Sequence, residues 1–157
     1  MNAPALRRPV APPVNIAGIP DALQRERRWV VWRYAKKADR WTKLPYQAGG
    51  YMAKSNDPAT WCPIDAGINA MSRGLFDGLG FMLGDGWAGV DVDDYRGHEC
   101  ALIEGIPGYR EQSPSRRGLK VIGRGPRIGG EIDFGVDPAA FTTWSGGRFF
   151  TITGQVA

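Results

Sequence analysis

Cysteine and histidine are almost missing from this chain: Cys62, Cys100 and His98 are the whole supply among 157 residues. No C-x-x-C pair exists, so a zinc ribbon is excluded, and two distant cysteines make no disulfide framework. One histidine cannot build a multi-histidine metal centre, and His98 lies in the polar stretch Arg96-Gly97-His98-Glu99, as a surface residue would. No apolar run is long enough to span a bilayer, and the N-terminus lacks the apolar core of a secretory signal. A cytoplasmic protein without membrane partners is the expectation. No G-x-x-x-x-G-K-[ST] loop occurs, so any ATPase or helicase activity lies outside this sequence.

What remains suits an ordinary globular domain, 43% hydrophobic and 23% charged. The net charge of +4 is mild and favours a polyanionic partner without demanding one. Residues 1–18, MNAPALRRPVAPPVNIAG, are rich in Pro and Ala and read as a flexible lead-in. Residues 19–157 read as one domain. The sequence stops soon after its last strand, so this domain is expected to come from a longer protein.

The pattern predicts a mostly antiparallel α+β fold with a few helices. A short helix should run from Ile19 to about Arg28. Trp29 to Tyr34 and Trp41 to Tyr46 read as paired strands, the second ended by Pro45. Pro63 to Met71 suits a helix with Ile64, Ile68 and Met71 on one face, stopped near Gly74. Gly78 to Leu83 and Trp87 to Asp93 read as an antiparallel pair joined by Gly84-Asp85-Gly86. A polar connector follows over 94–108, with a helical turn near Glu99 to Glu104. Further strands are expected near 109–112, 118–123, 129–134 and 149–153. Trp29 and Trp32 have opposite parity on their strand, so at most one should be core there; base stacking is one use for the other, and core packing or rim coverage is the commoner use of a tryptophan.

Three clusters carry possible chemistry. In Val90-Asp91-Val92-Asp93-Asp94, strand alternation puts Asp91 and Asp93 on one face and the valines on the other. Two such carboxylates repel unless a cation lies between them, and hard cations such as Mg²⁺ take oxygen ligands. Solvated acids at a strand end would look the same. Glu131-Ile132-Asp133-Phe134 repeats the pattern and offers a third acid. Three acids holding two metals fit phosphoryl transfer. Ser113-Pro114-Ser115-Arg116-Arg117-Gly118-Leu119-Lys120 concentrates hydroxyls, glycine and cations, suiting a phosphate loop or a solvated basic turn. Arg148 opens the last strand as another phosphate partner. Lys43 and Arg33 either line the same groove or solvate the first hairpin.

Taken in order, W-V-V-W, K-L-P-Y, S-N-D-P-A-T-W, G-L-G-F-M-L, V-D-V-D-D, S-P-S-x-x-G-L-K and R-F-F-T-I-T-G resemble a known family. It is the N-terminal primase-polymerase domain of phage and plasmid replication proteins, within the archaeo-eukaryotic primase superfamily. The likeness covers roughly residues 20–155. It implies an RRM-like catalytic half and two Mg²⁺ or Mn²⁺ ions. It also implies template-directed synthesis from nucleoside triphosphates on single-stranded DNA, with a helicase domain as a possible C-terminal neighbour. By position, the metal-binding and catalytic acids fall on Asp91, Asp93 and Glu131, with Asp133 in reserve. The nucleotide-binding motif falls on Ser113, Ser115, Gly118 and Lys120, and the triphosphate arginine on Arg148.

Some positions depart from the pattern. Lys120 stands where histidine is usual; it can bind phosphate as a point charge but is expected to be no neutral donor or base at pH 7. Arg116 replaces a common glycine. The connector over 94–108 is short and the stretch over 135–147 long. Two alternatives to a primase-polymerase therefore stay open: a catalytically degenerate DNA- or nucleotide-binding module, and a metal-dependent nuclease using the same carboxylates.

Overall fold

The computed structural model describes residues 5–92, 107–116, 118–124, 127–128, 131–132 and 142–156; for 127–128, 131–132 and 142–144 it describes the backbone alone. Asp93, Asp133, His98, Cys100 and most of the connector lie outside these residues.

The first sheet is built from local pairings. The β-branched and aromatic run of β1 (Trp29–Lys37) folds back on β2 (Arg40–Tyr46) through a tight turn, with Ala38 at a φ of 53°. Pro45 does not end β2 but sits within it, opposite Trp32. β2 is an edge strand, where a missing N–H is tolerated. On the other side of β1 lies β3 (Gly78–Met82), and beyond it β10 (Phe149–Ile152), giving the order β10-β3-β1-β2, all antiparallel.

The second sheet has the order β5-β6-β4-β9, from β5 (Tyr109–Gln112), β6 (Leu119–Arg124), β4 (Trp87–Val92) and β9 (Thr142–Trp144). A small ribbon pairs β7 (Arg127–Ile128) with β8 (Glu131–Ile132). β9 and the ribbon's first strand carry no apolar alternation long enough to announce them. The antiparallel α+β expectation holds.

The hairpin expected between β3 and β4 does not form. Both edges of β3 are already paired, to β1 and β10, so β4 joins the other sheet. Gly84, Asp85 and Gly86 all have positive φ, at 129°, 51° and 90°, and turn the chain from one sheet into the other. Arg28 pins that turn. Its Nε donates to the Met82 carbonyl at 2.6 Å, an Nη pairs with Asp85 at 2.7 Å, and the guanidinium lies 4.7 Å from the Trp61 ring centre.

One face of the first sheet forms the main core. Trp29, Val31, Leu79, Phe81, Phe150 and Ile152 meet Leu23 of α1 (Asp21–Gln24), Ile64 and Ala70 of α2 (Ile64–Met71), and Trp87 and Ile122 of the second sheet. The sheets approach closely at Gly89, where an added Cβ would stand 2.3 Å from Phe150 Cε2. On the opposite face Val30 and Met82 bury against Ala53 and Trp61.

Both faces are therefore covered at this end of β1, which corrects the expectation for its tryptophans. Trp29 and Trp32 are both buried, at 0% and 2% exposure. Their indole N–H groups donate to the Leu23 and Leu79 carbonyls, each at 3.0 Å. Neither is open to a base. The helix expected to reach Arg28 stops at Gln24, and α2 begins one residue later than expected, with Pro63 as its N-cap.

Residues 8–18 make specific contacts with the body. Arg8 pairs with Asp77 at 2.6 Å, the Asn15 amide donates to the Thr153 carbonyl at 2.7 Å, and Gly18 packs on Gly154. The Pro-rich composition that reads as a flexible lead-in also stiffens a chain that has anchors at both ends.

Candidate active-site cleft

A cleft of about 1310 Å³ opens on the face of the first sheet that carries Tyr34, Trp41 and Lys43. Asp91, Ser113, Ser115, Arg116, Lys120 and Arg148 line it, as do Lys54 and Thr151. These residues come from well-separated stretches of sequence. The two-sheet arrangement brings them to one opening, because β10, an edge of the first sheet, meets β4 at Gly89 and β6 at Lys120.

Strand register explains the middle of the cleft. Across the second sheet, Glu111, Lys120, Asp91 and Thr142 form one row of directly opposed residues. Directly opposed residues share a face. Asp91 is half-buried and faces the cleft, while Val90 and Val92 are buried, as alternation predicts. Lys120 is buried, and its Nζ donates to the Thr151 hydroxyl across the sheet junction at 2.5 Å. It also lies 5.3 Å from the Phe150 ring centre.

Burial is the main cause that pulls the Lys120 ammonium down to about 8. Lys43 pushes the same way and so does Arg148, while Asp91 and Glu111 oppose them. Lys120 thus holds its proton less tightly than an ordinary lysine, which its residue type alone did not suggest.

The loop from Ser113 to Gly118 is closed at its base. The Ser113 amide donates to the Gly118 carbonyl at 2.9 Å, the Arg116 amide to the Ser113 carbonyl at 2.8 Å, and the Gly118 amide to Ser113 Oγ at 2.9 Å. Ser113 Oγ and Ser115 Oγ lie 2.9 Å apart. Arg116 occupies the left-handed region at a φ of 62°, a conformation that glycine adopts without strain. Gly118 shapes the loop and does not line the cleft; a Cβ there would meet the Val92 carbonyl oxygen at 2.9 Å.

The expected acids are reached unevenly. Asp91 lies in the cleft. Glu131 belongs to β8, which lies beside β9, and β9 pairs with β4 through Thr142 opposite Asp91. Asp93 and Asp133 are outside the described residues. Among the described residues no group of three or more His, Cys, Asp or Glu side chains is poised to hold a metal. Lys43 lines the cleft, whereas Arg33 has the opposite parity and stacks 4.4 Å from the Tyr46 ring centre on the other face of the hairpin. The S-N-D-P-A-T-W segment builds a wall. Asp57 caps a short 3₁₀ turn, and the Trp61 indole donates to the Lys54 carbonyl at 2.8 Å, which sets Lys54, Ser55 and Asn56 along the rim.

Sequence reasoning missed Glu111. It is fully buried, and it accepts hydrogen bonds from the Tyr109 hydroxyl at 2.8 Å and from the Thr153 and Gly154 amides at 2.9 and 3.1 Å. Burial raises its pKa, against the pull of those donors and of Lys120. Glu111 ties the end of β10 to β5 and so holds Thr151 beside Lys120. Its signal was parity: in strand β5 it shares the inward face of Tyr109. Cys62 is a half-buried thiol whose pKa is raised, chiefly by burial, consistent with an idle role.

No family model matches the chain. A DNA primase-polymerase of Nitratiruptor phage NrS-1 is 35% identical to it over 149 residues, an alignment that covers 86% of this chain. The alignment spans 20% of the phage protein's own length. No helix among the described residues is long and apolar enough to cross a membrane. A match of this identity over most of the chain supports assigning the chain to a primase-polymerase domain.

Proposed function

We propose that residues 19–157 form the nucleotidyl-transfer domain of a replication protein, of the archaeo-eukaryotic primase type, which joins nucleotides on a single-stranded DNA template. One observation carries the reading: Asp91, Ser113, Ser115, Lys120 and Arg148, each expected at a catalytic centre, line a single cleft. A helicase elsewhere in the full protein is part of the same proposal.

In this reading the hydroxyls of Ser113 and Ser115, with the Lys120 ammonium and the Arg148 guanidinium, receive the triphosphate. Gly118 keeps the loop tight enough to present them. Cations fixed beside the phosphates stabilise charge that develops on the leaving pyrophosphate. Asp91, joined by Asp93 and by Glu131 or Asp133, would hold Mg²⁺ or Mn²⁺. The Asp91 carboxylate fits that role, being a hard oxygen donor that faces the cleft. Bound divalent ions supply polarisation of the attacking 3′-hydroxyl and neutralisation of phosphate charge. Arg116, exposed at the tip of the loop, adds a further phosphate contact.

A second reading rests on Lys120 itself. An ammonium directly opposite Asp91 offsets the same negative charge that a metal would, which suits a module that binds nucleotide or DNA without catalysis. Nucleotide incorporation on a primed single-stranded template separates the two. The first reading expects incorporation that depends on Mg²⁺ or Mn²⁺ and is lost in Asp91→Ala. The second expects salt-sensitive DNA binding with no incorporation.

A further inference from the structure

The Pro-rich segment at the N-terminus has no place in the chemistry just described, yet it forms one wall of the cleft. Pro9, Val10, Ala11, Pro12 and Pro13 all line it. The segment is tied down at both ends, on different parts of the molecule. At one end the Trp41 indole donates to the Leu6 carbonyl at 3.1 Å, and Arg8 pairs with Asp77 and lies 5.9 Å from the Tyr34 ring centre. These partners belong to the first sheet and its approach. At the other end Gln155 donates to the Pro13 carbonyl at 3.1 Å and Asn15 bonds to Thr153. That tail is held to the second sheet by Glu111, and by the Gln112 amide bonded to the Gln155 carbonyl. The segment is a strap between the sheets, and Val10 at its middle is 91% exposed.

The cleft beneath is larger than one nucleotide needs, since small-ligand pockets run to about 300–1,000 Å³. Its lining is cationic beyond the phosphate loop, with Lys43 and Lys54 set against Asp91. It also carries the half-exposed ring of Trp41, with Tyr34 beside it on the same sheet face. Aromatic rings and a cationic track on an open sheet face are what single-stranded nucleic acid requires. Proline fixes the wall's backbone, so little ordering entropy is lost when a strand lies against it.

We propose that residues 8–13 are a strap that retains single-stranded DNA in the cleft, the strand passing beneath residues 9–13 along the Trp41, Lys43 and Lys54 lining. This rests on the reading of the cleft as a nucleotide site and assigns a second, adjoining track to the same opening. The test uses Val10, whose exposure makes its replacement harmless to folding. Val10→Asp should weaken binding of a fluorescent oligo(dT) by about 3- to 10-fold and Val10→Lys strengthen it by a similar factor, as expected for charge added beside a phosphate track. Nucleoside triphosphate affinity, measured without oligonucleotide, should stay within about twofold in both variants. Unchanged oligo(dT) affinity in both variants would overturn the proposal, and so would equal shifts for oligo(dT) and triphosphate. Both measurements are of binding. Loss of the catalytic reading would appear separately, as absent incorporation by a protein that still shows the strap dependence.

Discussion

Lys120 stands directly opposite Asp91 in the β4–β6 ladder, and its ammonium crosses the sheet junction to Thr151 on β10. One buried cation thus touches both sheets and neighbours the acid that the cleft presents.

Because the Lys120 pKa lies near 8, triphosphate affinity should hold steady below that pH. Above it the free protein has lost the proton that a bound polyanion would retain, so affinity should fall, by up to about tenfold per pH unit. Lys120→Arg keeps its charge throughout and should remove the fall. Titration calorimetry at pH 7, 8 and 9 with wild type and variant reads the difference. A wild-type profile as flat as the arginine variant's contradicts the assignment.

The Arg116 backbone carries a cost that its side chain offsets. Arg116→Gly relieves a left-handed non-glycine residue and should raise unfolding stability by about 1 kcal/mol. The same change removes an exposed cation from the cleft and should weaken triphosphate binding by about 3- to 10-fold. Urea unfolding and a binding isotherm on one preparation show both effects. A variant that loses stability refutes the strain argument.

Glu111 organises the far side of Lys120. Glu111→Ala leaves the Thr153 and Gly154 amides and the Tyr109 hydroxyl without their acceptor and should cost about 2–4 kcal/mol. Glu111→Gln can keep most of these bonds and should cost about 1 kcal/mol or less. A carboxyl whose folded pKa exceeds its unfolded value of 4.5 favours folding most below that pH; the contribution is lost as pH rises through the folded pKa. Glu111→Gln should therefore flatten the decline in stability on going upward from pH 4.5. Chemical denaturation at several pH values measures this, and an unchanged slope would count against a buried, proton-binding Glu111.

Gly89 tests the sheet junction. With no room beside Phe150, Gly89→Ala should cost about 1–3 kcal/mol through overpacking. Phe150→Leu should recover part of that loss in the double variant, since the two sites share one contact. Additive losses would mean the sheets do not meet as described.

Much of this was legible locally. The run Trp29 to Tyr34 announces β1, the Val90-Asp91-Val92 alternation orients β4, and the Ser113-Pro114-Ser115 run announces a loop. What escaped depends on distant partners. The turn at Gly84 reads as a hairpin because nothing near it in sequence says that β1 and β10 occupy both edges of β3. One of Trp29 and Trp32 reads as lying outside the core because residues 53–61, which help cover the second face of the sheet, follow only after the whole first hairpin. Glu111 looks like one more polar residue before Ser113, and only the returning end of β10 makes it a buried acceptor. Lys120 reads as an ordinary phosphate cation until burial, and then Lys43, lower its proton affinity.

The measurement that bears most directly on the account is incorporation of labelled nucleotide on a primed single-stranded DNA, with Mg²⁺ or Mn²⁺, for wild type and Asp91→Ala of equal thermal stability. Metal-dependent extension by the wild type is expected, with a loss of at least about a hundredfold in the variant. Equal extension by both proteins would contradict it.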